Sequence, residues 1–219
     1  MRKLIVLVLA LLFLGCAREP LHKGKPAAYW RGALKDPDVA VRRDAIQAMG
    51  VLHVKDAVPE LTEALKDADD KVRAHAAEAL WSLNKDAGDA VPALTAALKD
   101  RSPEVRLSAA GALGDIGGEA RTAIPALGEL LGDRDPSVRQ SAAQALGRFG
   151  PESRQAVPKL AESLKDPDKE VRVAAIYALA EIGPDARTAL PALKEASKQP
   201  DGDVRTAADY AVKQIQGNP

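Results

Sequence analysis

Apolar residues along this chain fall into a long and a short pattern that alternate, and both are helical. In the stretch Val171–Ile182 the apolar positions include Val171, Ala175, Leu179 and Ile182, separated by four, four and three residues. That spacing puts them on one face of an α-helix. A shorter stretch, Pro158 to Asp166, repeats Leu160 and Leu164 at helical spacing. Its proline falls in the first turn, where a missing N–H costs nothing. No segment alternates with period two and no β-rich run occurs, so the chain beyond its N-terminal segment reads as all-α.

The two patterns recur together. The pair Val-Arg occurs at Val41-Arg42, Val72-Arg73, Val105-Arg106, Val138-Arg139, Val171-Arg172 and Val204-Arg205, at spacings of 31, 33, 33, 33 and 33. An aliphatic-Pro pair recurs every 33 residues, at Val58-Pro59, Val91-Pro92, Ile124-Pro125, Val157-Pro158 and Leu190-Pro191. Six helical hairpins follow, the first without its proline. Three residues before each Val-Arg valine stands a capping type: Asp38, Asp69, Ser102, Asp135, Asp168 or Asp201. Asn84, Gly117, Gly150 and Gly183 sit just past the long helices, where a left-handed residue ends a helix. Asp56, Asp89, Thr122 and Thr188, three residues before their prolines, are expected to cap the short helices. A lone hairpin cannot cover its own apolar stripe, so the hairpins stack into an α-solenoid of six repeats. In the last repeat Ser197 replaces the leucine seen at Leu164 and is followed by Lys198 and Gln199, as a polar terminal repeat ending near Gly217 would require.

Numbering each repeat from its Val-Arg valine as zero separates scaffold from variation. Positions 0, 4, 8 and 11 are apolar throughout and face the core. Asp36, Asp67, Asp100, Asp133 and Asp166 stand five residues before their valines, and the last repeat has Gln199 there. With a carboxylate at the same period, the arginines read as an Asp–Arg ladder that sets stacking register rather than as an anion-binding rail. Positions 2, 6 and 9 form another stripe, which varies from repeat to repeat. Three of the six aromatics beyond the N-terminal segment, Trp81, Tyr177 and Tyr210, lie on it, whereas Trp30 and Phe149 fall at core places. The candidate partner contacts are Tyr177, Tyr210 and Trp81, joined on the same stripe by Leu107, Val173, Gln140, Gln144 and Arg43. The competing role for the three rings is packing on the neighbouring repeat. Position 9 is usually Gly or Ala, which points to close packing around Trp81.

The N-terminus follows different rules. Met1-Arg2-Lys3 leads an unbroken apolar run of 11 residues, Leu4 to Leu14, too short to span a bilayer, which takes ~20. This is the build of a secretory signal. The following Phe13-Leu14-Gly15-Cys16 resembles the lipobox of bacterial lipoproteins, with Phe13 where such motifs usually carry leucine. Cys16 is the sole cysteine. The resemblance implies cleavage before Cys16, its lipidation, and a protein body in the cell envelope. Ala17 in place of aspartate favours the outer membrane facing the periplasm in a Gram-negative cell. The expected organisation is a signal peptide over 1–15, a lipidated cysteine and tether over 16–26, and a repeat domain over 27–219. The tether AREPLHKGKP would reach ~35 Å if extended.

Charge and side-chain inventory narrow the function. The chain has 31 basic and 31 acidic residues; loss of Arg2 and Lys3 with the signal leaves a formal charge of about −2. A nucleic-acid footprint needs a clustered cationic excess, so DNA binding is excluded. His22, His53 and His75 show no metal-ligand spacing. The glycines of GALGDIGG follow no strand and recur one period later, so they are repeat positions and not a phosphate loop. No Gly-x-Ser-x-Gly elbow and no second cysteine occur. Neither a cofactor nor a catalytic group is expected. The repeat DPDKEVRVAAIYALAEIG resembles the short bacterial HEAT-like repeat found in phycobilisome lyase subunits, over residues 26–216. The resemblance places the second helices on a concave surface. The expected function is a lipid-anchored, non-catalytic scaffold or adaptor for another envelope protein. The alternative is a lyase or chaperone-like protein acting on a bound cofactor or a client protein.

Overall fold

The computed structural model of the chain describes residues 20–217. Among these residues, twelve α-helices follow one another as six pairs, each of a short helix and a long one. The pairs are α1 (Ala27–Ala33) with α2 (Val39–Val51), α3 (Val58–Ala64) with α4 (Asp70–Ser82), and α5 (Val91–Ala97) with α6 (Pro103–Ile116). Then come α7 (Ile124–Leu130) with α8 (Pro136–Arg148), α9 (Val157–Ser163) with α10 (Lys169–Ile182), and α11 (Leu190–Ala196) with α12 (Gly202–Gln216). The long helices pack side by side in chain order, and each short helix packs on its own long partner. The result is a two-layered α-solenoid.

The long helices begin and end where their sequence chemistry dictates. Asp38, Asp69, Asp135, Asp168 and Asp201 each accept a hydrogen bond from a backbone N–H of the first turn, at 2.8–3.0 Å for the shorter bond. Ser102 departs from this: its hydroxyl donates to the Glu104 carboxylate at 2.6 Å instead. Asn84, Gly117, Gly150 and Gly183 all have positive φ, between 50° and 73°. His53 takes the same conformation in the first repeat, φ 51°.

The short helices start differently from the expectation. Asp56, Asp89, Thr122 and Thr188 cap nothing; they lie within 3₁₀ turns, such as Asn84–Ala90 and Gly117–Ala123, that run straight into the helices. A side-chain cap needs an extended backbone at the capping residue. That place is held by Ala57, Ala90, Ala123 and Ala189, with ψ between −12° and 0°. These alanines are buried, so packing has chosen the turn over the cap.

The core is continuous. Position 4 is alanine in every repeat (Ala45, Ala76, Ala109, Ala142, Ala175 and Ala208), and all six are fully buried. Leu61, Leu94, Leu127, Leu160 and Leu193 come down from the short helices, and Trp30 takes their place in the first repeat. Phe149 is buried, as its core position requires. Between long helices the contact is close enough to exclude side chains. A Cβ on Gly114 would lie 2.9 Å from the Ala145 Cα, and one on Gly147 would lie 3.1 Å from the Ala178 Cα.

Residues 16–19 and 1–15 lie outside the described residues, and with them the signal segment and Cys16. The rest of the expected tether is folded. Leu21–His22 (β1) pairs antiparallel with Lys25–Pro26 (β2) across a Lys23-Gly24 turn in which both residues have positive φ, 46° and 73°. The Trp30 indole N–H donates to the His22 carbonyl at 3.1 Å, and Lys23 pairs with Asp44 at 2.8 Å. The hairpin therefore belongs to the first repeat, and the reach of an extended tether does not apply to residues 20–26.

The ladder between repeats is formed. Arg42 grips Asp67, Arg73 grips Asp100, Arg106 grips Asp133 and Arg139 grips Asp166, each by two N–H donors at 2.7–3.0 Å. Each guanidinium also donates to loop carbonyls of its own repeat, as Arg106 does to Asp100 at 2.8 Å. Each carboxylate also accepts a backbone N–H two residues on, as Asp133 does from Asp135 at 2.9 Å. The ladder stops at Arg172, opposite Gln199: its Nη1 donates to the Asp166 carbonyl, but its buried Nε has no partner.

Burial acts to raise the carboxyls of Asp67, Asp100, Asp133 and Asp166, yet the arginine bond, the backbone N–H and the guanidinium charge prevail and hold each below its ordinary range. A carboxyl held lower in the folded than in the unfolded chain adds stability above the unfolded value, near 4, and loses it as pH falls through the folded value. Urea unfolding should therefore show the midpoint steady at neutral pH and falling below about pH 4. Asp133→Asn should cost on the order of 3 kcal/mol at pH 7 and flatten that acid decline. Gln199→Asp, which restores the missing rung, should stabilise the protein by roughly 1 kcal/mol.

Candidate functional site

The variable stripe of the long helices is not one surface. Its position-9 residues Gly50, Gly114, Gly147 and Ala180 are buried between repeats. Leu107 packs partly buried against the core, and its carbonyl accepts the Ser141 hydroxyl at 3.1 Å. Arg43 is partly buried, with an inaccessible Nε. Trp81 is committed to the neighbouring repeat, against the expectation that it serves as a partner anchor. Its indole N–H donates to the Asp115 carboxylate. A Cβ on Gly111 would lie 2.7 Å from its ring atoms, so the ring fills a notch that only glycine leaves open. Asp115 in turn receives Arg148 at 3.0 Å. One tryptophan thus ties repeats two, three and four together.

The other candidates converge. Between α8 and α10 lies an open groove of about 720 Å³, lined by Gln140, Gln144, Val173 and Tyr177. Tyr210, at the same position one repeat on, sits beside Tyr177 with ring centroids 6.3 Å apart and planes tilted by 53°. Tyr177 is 50% exposed and Tyr210 45%, far more than an aromatic with a packing role requires. Glu170, Glu181, Arg148 and Phe149 also line it and were not singled out by the stripe. Glu170 and Glu181 lie at positions −1 and 10, just outside the three positions counted. A second groove of about 460 Å³ lies between α2 and α4, lined by Gln47, Val51, His53, His75 and Glu78, and carries no tyrosine, tryptophan or phenylalanine. A cleft of about 310 Å³ on the short-helix side is lined by Glu129, Lys159 and Glu162 among others, again without an aromatic.

Among the described residues no group of His, Cys, Asp and Glu is placed to hold a metal, and no helix is long and apolar enough to cross a membrane. His22 packs its ring edge on Trp30, and the His75 ring meets the Lys71 carbonyl at 2.7 Å.

A two-layered array of helical hairpins with ionic rungs between turns defines a helical-repeat solenoid. The HEAT-repeat family matches over residues 28–87, 58–133 and 124–213. The chain belongs to that family. Among solved structures it is similar to an engineered protein at 24% identity, with a TM-score of 0.73 over 88% of this chain and 97% of that one. It is similar to a designed armadillo repeat protein in complex with the peptide (KR)4 at 21% identity, with a TM-score of 0.74 over 85% and 98%. Both likenesses concern the fold. It is also similar to the complex of CpcE and CpcF of phycocyanin lyase from Nostoc sp. PCC7120, at 25% identity with a TM-score of 0.64 over 93% and 80%. No curated protein matches it.

Truncation separates the structural aromatic from the exposed ones. Trp81→Ala should lower the unfolding free energy by about 3 kcal/mol, because the Gly111 notch is left empty. Tyr177→Ala should change it by less than about 1 kcal/mol. Equal costs in urea melts would contradict the placement of Trp81 between repeats.

Proposed function

We propose that the protein is a non-catalytic interaction scaffold whose long-helix face over repeats four to six contacts a partner protein. The observation that carries this reading is the Tyr177–Tyr210 pair. Two tyrosines half in solvent and side by side, one of them lining a groove, are of the residue type that dominates protein-binding energy. A solenoid supplies an extended surface for such contacts. Support comes also from the similar structures, one a designed protein holding a peptide and another a complex of two subunits.

The lipobox-like Phe13–Cys16 segment extends the proposal. Signal cleavage and acylation at Cys16 would leave residues 17–20 between the lipid and the N-terminal hairpin, so the solenoid would work close to an envelope membrane. A second reading, action on a bound cofactor or client as a lyase or chaperone, rests on the likeness to the phycocyanin lyase complex.

Crosslinking in the producing cells, with the full chain as bait, tests the contact. The native chain should enrich one envelope protein that a Tyr177→Ala/Tyr210→Ala variant of unchanged helical content loses. The same captures by both chains would sink the assignment of this face. A coloured purified protein would turn attention to the cofactor reading. Cys16→Ser should move the protein from the membrane to the soluble fraction; an unchanged distribution would remove the lipid anchor from the account.

A further inference from the structure

We infer that the groove between α8 and α10 receives an extended peptide segment carrying a lysine or arginine, which rests on the reading of this face as the contact surface. The charges of the lining decide the sign. Arg148 is held at 3.0 Å by Asp115, so its charge is compensated within the fold. Glu170 and Glu181 are exposed carboxylates. Lys169 closes on Asp203 at 2.7 Å and reaches Glu170 only at 3.8 Å. Among the described residues Glu181 has no ion pair. A polyanion is repelled by such a groove, and a cation is drawn to it.

The rings decide what kind of cation. Glu181 lies four residues beyond Tyr177, so the two side chains share one face of α10, about one turn apart. Tyr210 brings a second ring to within 6.3 Å of the first. The Glu181 carboxylate and the exposed Tyr177 ring, both in the lining of the groove, form a receptor for an ammonium or guanidinium group, which takes ion pairing from the first and cation–π attraction from the second. Val173 and Phe149 give an apolar wall for the methylene stem of a long basic side chain. Gln140 and Gln144, four apart on α8, place amides that both donate and accept along the opposite wall. Such amides suit the free N–H and C=O groups of an extended backbone, and a free metal ion or small amine would leave them unused.

The test is fluorescence anisotropy with the full chain in detergent micelles. The probe is a short labelled peptide alternating lysine with serine, set against matched peptides with norleucine or glutamate in place of lysine. The lysine peptide should bind, the glutamate peptide should not, and raising the salt concentration should weaken binding. Tyr177→Ala and Glu181→Gln should each weaken it roughly tenfold, and Tyr177→Phe should leave it within about twofold. Equal binding of lysine and norleucine peptides, both weakened by Tyr177→Ala, would overturn the cationic occupant while leaving the groove as a contact surface. Lysine-peptide binding untouched by Tyr177→Ala and Glu181→Gln would show attraction to the surface at large and overturn the inference. Failure of every peptide to bind would also overturn it, and the crosslinking comparison would then decide the fate of the face separately.

Discussion

Each guanidinium from Arg42 to Arg139 is drawn out of water by a carboxylate that belongs to the next repeat. The Arg106 and Asp133 side chains keep only 7% and 10% of their exposure. Ions this dry are tolerated only where every donor and acceptor is satisfied. The loop carbonyls and backbone N–H groups of both repeats meet that demand, so the pair holds two backbones as well as two side chains. This fixes the register in which alanine faces glycine between long helices, at distances that no larger pair would permit. The core itself offers little register of its own, because it is made of the same alanines and leucines in every repeat.

With register set by the loops, the variable stripe of the long helices can carry large rings at single repeats, and it has been used in two ways. At repeat two it carries Trp81, whose bulk is admitted by Gly111 one repeat later. At repeats five and six it carries tyrosines that stay half in solvent. The difference lies in the compensation: where a ring is structural, the facing residue has shrunk. Opposite Tyr177, the facing Tyr210 is as large as itself. Tyr210 also rides on the repeat with the least ionic anchoring, since Gln199 leaves Arg172 without its rung.

Much of this was legible in the chain. The repeat, the aspartate caps of five long helices, the left-handed ends and the ladder follow from residues that recur with the repeat, and Gln199 marked the broken rung by departing from it. Other features were hidden for definite reasons. Two strands of two residues cannot display a period of two, although Lys23-Gly24 between them is a hairpin turn signal. Asp56 and Thr122 are of capping type, but the buried alanines that follow hold the backbone in a 3₁₀ turn, a tertiary override of a local preference. The Trp81–Gly111 pairing spans 30 residues and shows only when position 9 of one repeat is set against position 6 of the next. Glu170 and Glu181 escaped because a groove between two helices draws on neighbours of the stripe as well as the stripe itself.

Native-state hydrogen exchange along the chain measures most directly whether contacts between repeats set the stability of each one. Amides of α6 and α8, each flanked by two complete rungs, should open only with global unfolding, and those of α11 and α12 should exchange at distinctly lower free energy. Uniform protection to the C-terminus, or opening that starts in the middle repeats, would contradict the central role of the arginine–aspartate rungs.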